Sequence, residues 1–91
     1  MSQGESTTYR IEILPTAVRQ MRKLPTNKAK RIDAAILELT LNPRPQGAKK
    51  LRGQSDRYRI RIGDYRVIYR IEEIIKIVNV RRIGHRKDIY E

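Results

Sequence analysis

Residues 57–71 read Arg57-Tyr58-Arg59-Ile60-Arg61-Ile62, then Gly63-Asp64, then Tyr65-Arg66-Val67-Ile68-Tyr69-Arg70-Ile71. Both arms alternate with period two, which predicts a pair of strands with unlike faces. Gly63-Asp64 closes them as a two-residue hairpin, because Gly accepts the positive φ that such turns demand. That turn fixes the register. Ile62 stands opposite Tyr65, Ile60 opposite Val67 and Tyr58 opposite Tyr69, so one face is apolar and takes the three tyrosines into the core. On the other face Arg61 stands opposite Arg66, Arg57 opposite Arg70 and Arg59 opposite Ile68. Like charges directly across a ladder are unfavourable, and a merely solvated face mixes signs. This one carries Arg57, Arg59, Arg61, Arg66 and Arg70 with no acid among them. The pattern points to an anion-binding surface, suited to a polyphosphate chain.

The remaining composition narrows the partner. The 91-residue chain carries 21 Lys and Arg against 10 Asp and Glu, a net charge of +11. A surplus of that size implies nucleic acid, an anionic membrane surface or an acidic protein. No long apolar run and no signal-peptide pattern is present, which disfavours the membrane. The surplus is uneven: residues 44–91 hold 14 bases and 6 acids, residues 1–43 only 7 and 4. The C-terminal half therefore carries the binding charge. With no cysteine and the single His85, thiolate and histidine-rich metal sites are excluded, no cofactor is implied, and a cytoplasmic protein is expected.

Along the chain, residues 1–8 read as a loose polar tail and residues 9–91 as one domain. Tyr9 to Ile13 alternates as a first strand, stopped by Pro15. Thr16 to Lys23 has helical spacing, with Thr16 as N-cap; Pro25 breaks it, and Thr26 caps a second helix through about Thr40. Residues 42–47 form a turn-rich break, and Lys49 to Gly53 a short edge strand. After the hairpin, Glu72-Glu73 reads as another two-residue turn into a strand over Ile74 to Ile83. That register sends Val78 and Val80 to the core and Ile77, Asn79 and Arg81 to the arginine face, and a one-residue slip would reverse it. The order β-α-α-β-β-β-β predicts an α+β fold, two N-terminal helices on one face of a four- to five-stranded, mostly antiparallel sheet.

Lys50-Leu51-Arg52-Gly53, the alternating basic arm, Gly63-Asp64-Tyr65-Arg66-Val67-Ile68-Tyr69 and the terminal Gly84-His85-Arg86-Lys87-Asp88-Ile89-Tyr90 together resemble the RelE branch of the RelE/ParE toxin superfamily. The similarity runs from Tyr9 to Tyr90. It implies a type II toxin that inhibits translation by cleaving messenger RNA in the ribosomal A site, without metal. It also implies inhibition by a RelB-like acidic antitoxin in a hetero-oligomer. The family's functional positions fall on Arg59 and Arg61 of the first arm, Arg66 after the turn, Arg86 in the Gly-x-Arg tail and the terminal Tyr90. In the best-known pattern the first two are lysines. Arginine stays protonated at any working pH, so Arg59 and Arg61 can bind and stabilise but not abstract a proton.

Cleavage by the RNA's own 2′-hydroxyl needs in-line geometry, charge stabilisation at phosphorus and proton traffic at the 2′ and 5′ oxygens. Arginine forks serve the second need. Candidate proton carriers are His85, whose ordinary pKa suits the work, and Tyr90, with Tyr65 and Lys87 behind them. Arg44, Lys49, Lys50, Arg52, Arg57 and Arg81 are expected to add RNA contacts outside the reaction centre. Two other functions fit the composition: a ParE-like toxin that binds gyrase without cutting RNA, and a non-catalytic RNA-binding module.

Overall fold

The computed structural model of the chain describes residues 8–53 and 56–85. Its elements are β1 (Arg10–Ile13), α1 (Pro15–Arg22), α2 (Thr26–Glu38), β2 (Lys49–Lys50), β3 (Arg57–Ile62), β4 (Tyr65–Glu72) and β5 (Ile77–His85). They build a five-stranded sheet in the order β1-β5-β4-β3-β2. β1 runs parallel to β5 and every other pairing is antiparallel. Fold class and element order are those predicted.

The hairpin register holds at each position, with Ile62 paired to Tyr65, Ile60 to Val67, Tyr58 to Tyr69 and Arg61 to Arg66. Gly63 turns at φ 60°, in the left-handed region where a side chain would be strained. The apolar face packs under the helices: Ala17, Ile32, Ile36 and Leu39 join Ile60, Val67, Tyr69, Ile71, Val78, Val80 and Ile83 in one core. The partly buried Tyr58 and Tyr65 pack against it.

Both helix starts differ from expectation. Leu14 and Pro25 occupy the N-cap positions, and neither Thr16 nor Thr26 caps through its side chain. Pro15 pre-empts Thr16, because proline's fixed φ suits the first helical position and its missing N–H is not needed there. In α2 the Pro25 carbonyl already accepts from the N–H groups of Lys28 and Ala29 at 3.0 and 2.9 Å. Thr26 is thereby drawn inside the helix.

The β4–β5 connection also differs. Glu72 pairs with Ile77, so residues 73–76 form a four-residue turn, and Ile74 and Ile75 lie in solvent rather than in the strand. Lys76 takes φ 58° to close it. Four residues keep the parity of two, so Val78 and Val80 still reach the core. A β-bulge then intervenes: Ile68 pairs with Arg82 and Tyr69 with Val80, leaving Arg81 as the extra residue. A bulge inserts one residue and re-aims the side chains beyond it. Ile83 thereby turns into the core.

β5 continues past the end of β1, and α1 covers the edge left over. The Gln20 Oε1 accepts from the Ile83 N–H at 2.7 Å, which satisfies a ladder donor that has no strand beside it.

Candidate nucleic-acid interface

The arginine face is the side of the sheet away from the helices. Its centre is apolar, with Ile68 and Leu51 buried against each other. Around them the ladder sets Lys49 beside Arg59 and Arg61 beside Arg66. Gly84 pairs with Arg66 in the next strand and places no side chain on that rung, where the Arg66 Nε is buried. A depression of about 300 Å³ is lined by Gln46, Gly47, Lys49, Arg59, Ile60 and Arg61. None of these is acidic. Gly47, at φ 93°, lets the chain turn tightly along its wall.

Not every arginine of the predicted face is available to a ligand. Arg70 donates from Nε to Asp56 at 2.7 Å, and that bond holds the Asp56 carboxyl below its usual range. The acid comes from the residue preceding β3, so the face is not free of carboxylates. Arg44, expected as an RNA contact, is held in a cluster of its own with its side chain still 45% exposed. Its guanidinium lies 5.1 Å from the Tyr58 ring centroid, and Nε donates to the Tyr58 hydroxyl at 3.1 Å. It also forms an ion pair with Glu73. The hydrogen bond to Tyr58, and then the one to Glu73, hold Arg44 protonated more firmly than usual. Glu73 accepts in addition from the Tyr9 hydroxyl at 2.7 Å. That bond, and then Arg44, keep its carboxyl below the usual range. Tyr9, Arg44, Tyr58 and Glu73 thus tie the start of β1, the 41–48 loop and the β4–β5 turn together at the end of the sheet away from Gly63.

The structure brings together Lys49, Arg59 and Arg61, with Arg66 across the ladder from Arg61. Lys50 pairs with Tyr58 and so takes the opposite parity to Lys49, and Arg52 is exposed in the turn that follows. Arg57 and Arg81 line a different depression, together with Arg82. Arg82 escaped the sequence pattern, because only the bulge puts it on this face. His85 pairs with Tyr65, on the side of the sheet that carries the helices, with ring centroids 5.7 Å apart in an edge-on contact. It is nonetheless adjacent to Gly84, the partner of Arg66. Arg86, Lys87 and Tyr90 lie outside the described residues. Among the described residues no group of His, Asp and Glu is assembled that could hold a metal ion, and no helix is long and apolar enough to cross a membrane.

Known proteins share this fold. The family described as "ParE toxin of type II toxin-antitoxin system, parDE" matches residues 11–90. Toxin RelE3 of Methanocaldococcus jannaschii is 36% identical over 80 residues, covering 84% of this chain and 89% of its own. Toxin RelG of Mycobacterium tuberculosis is 34% identical over 87 residues, covering 90% and 95%. The RelE–RelB complex from Pyrococcus horikoshii OT3 contains a chain that superposes with a TM-score of 0.80 at 31% identity, over 91% of this chain and 100% of that one. The family description carries the ParE name, whereas these relatives and this solved structure carry the RelE name. The chain belongs to the RelE branch of the RelE/ParE family, the toxins of type II toxin–antitoxin systems.

Proposed function

We propose that this toxin is a ribosome-dependent endoribonuclease that cuts messenger RNA in the A site by driving the 2′-hydroxyl onto the adjacent phosphorus. The observation that carries the reading is the basic depression lined by Lys49, Arg59 and Arg61, with Arg66 opposite Arg61. Guanidinium forks there can hold the non-bridging phosphate oxygens as charge grows on the phosphorane. In the balanced step the 2′ oxygen loses its proton and bonds to phosphorus. The bond to the 5′ oxygen breaks, and that oxygen gains a proton, leaving a 2′,3′-cyclic phosphate and a 5′-hydroxyl. Arg59 and Arg61 stay protonated throughout, so the protons are assigned elsewhere. Tyr90 serves as acid, and His85 serves as base once its ring leaves Tyr65 and swings past Gly84 to the arginine face, while Arg86 adds charge from the tail. Lys50 and Arg52 contribute phosphate contacts at the rim.

A RelB-like acidic antitoxin is the proposed partner, since a solved relative was captured as a RelE–RelB complex and this chain carries +11. Primer extension on messenger RNA bound to programmed ribosomes tests the activity. Cleavage within the A-site codon, lost when Arg59 and Arg61 are both changed to Ala, is the expected result. A ParE-like reading keeps one support, the name of the matching family. Inhibition of gyrase supercoiling by the purified toxin, with messenger RNA left intact, would establish that reading instead.

A further inference from the structure

We propose that the depression beside the bulge of β5 is a second phosphate site, gripping the same RNA chain away from the bond that is cut. The inference rests on the RNA-cleaving reading above and adds a site to it. The depression, about 350 Å³, is lined by Leu14, Thr16, Gln20, Arg57, Arg81 and Arg82. In a regular strand two successive residues point to opposite faces. Here Arg82 pairs with Ile68 on the arginine face, while Arg81 is the bulged residue. The Arg81 Nη1 donates to the Asn79 Oδ1 at 3.3 Å, and Asn79 pairs with Arg70 on that same face. The bulge therefore puts two consecutive guanidinium groups on one side of the sheet. Arg57 joins them from β3.

Elsewhere the fold pairs arginines with carboxylates: Arg44 with Glu73, Arg70 with Asp56 and, at the exposed surface, Arg10 with Glu12. Among the described residues Arg57, Arg81 and Arg82 form no ion pair, and no acid lines their depression. Three like charges brought together at a bulge are costly unless an anion joins them. β3 and β5 are separated by β4, about 10 Å at two strand spacings. Arginines rooted that far apart and lining one depression suit linked phosphates better than a single small anion. Fork geometry favours phosphate over a point contact, and the Thr16 hydroxyl adds a donor.

The test is fluorescence anisotropy with a labelled short single-stranded RNA and a labelled dinucleotide, titrated over a range of salt. Changing Arg81 and Arg82 both to Gln should weaken binding of the longer RNA and flatten its log–log salt slope by about 1.4, roughly 0.7 per lost phosphate contact on a single strand. The dinucleotide should lose less. The melting temperature should hold or rise, since repulsion is relieved. Changing Arg59 and Arg61 to Gln should weaken both RNAs. An unchanged salt slope in the Arg81/Arg82 variant, with the Arg59/Arg61 variant still impaired, overturns the second site and leaves the cleavage reading standing. If neither variant alters binding, both fall. A lower melting temperature with equal losses on both RNAs reduces the pair to a structural role. Competition by polyglutamate as strong as by RNA would show a general polyanion surface, and the phosphate assignment would fail.

Discussion

The hydroxyl of Tyr69 donates to the carbonyl of Pro43 at 2.7 Å inside the core, joining the centre of β4 to the loop that leads into β2. The Tyr69 ring is fully buried and stacks with Tyr58 at 6.1 Å between centroids. Removing the donor leaves a buried carbonyl unsatisfied, which costs about 1–3 kcal/mol. Urea denaturation of Tyr69→Phe should show that loss, with m unchanged.

The same residue sets an alkaline limit. Burial pushes the Tyr69 phenol well above its ordinary range, while in the unfolded chain it ionises near 10. The folded state then binds the proton more tightly, so its contribution is full below about pH 10 and is lost as pH rises beyond that. Stability curves of the wild type and Tyr69→Phe should converge as pH climbs above about 10. Parallel curves would remove Tyr69 as the titrating group.

At the acid end the relevant group is Glu73, held below the usual range by Tyr9 and then by Arg44. Its contribution is present above the unfolded carboxyl value, about 4.3, and is lost as pH falls through the lower folded value. Since Glu73 and Arg44 remain about half exposed, at 49% and 45%, the effect should stay within about 1 kcal/mol. Glu73→Gln should give a flatter melting-temperature profile between neutral pH and pH 3.

In the core, Ile36 is 1% exposed beneath the sheet. Ile36→Ala should cost about 2–5 kcal/mol through lost transfer energy and the cavity left behind. Thermal unfolding reads it directly, and a smaller loss would mean that α2 collapses into the space.

For the proposed chemistry, Arg61→Ala should slow cleavage on programmed ribosomes by about 10²–10³-fold, as for the loss of one preorganised donor, with no change in melting temperature. Tyr90→Phe should be slowed and rescued by a 5′-thio leaving group, whereas His85→Ala should be slowed without rescue. The opposite rescue pattern exchanges their roles. Indifference to both changes would assign the proton transfers to the ribosome or to solvent.

The hairpin was legible because one two-residue turn and strict alternation leave a single register for residues 57–71. The helices were legible from their apolar spacing, but their starts were not, since at both places a proline preceding the threonine decided the cap. Glu72-Glu73-Ile74-Ile75 hid its turn, because exposed isoleucines read as strand. The bulge was invisible for a similar reason: Arg81 and Arg82 are the same residue type, so no alternation marks the slip. With it went the facing of Arg82 and His85. The Arg70–Asp56 and Arg44–Glu73 pairs link residues far apart in sequence, which local pattern cannot join.

The parallel pairing of β1 with β5 has a consequence for synthesis. In the sheet order β1-β5-β4-β3-β2, β1 has only β5 as its neighbour among the described residues. Arg10 waits for Ile77 and Ile13 for Val80, an interval on the order of seconds at ~5–20 residues per second of elongation. Until β5 emerges, the nascent chain has neither a closed sheet nor the rung that sets Gly84 beside Arg66. With translating ribosomes as the proposed target, this order of assembly keeps the surface incomplete until β5 has been made.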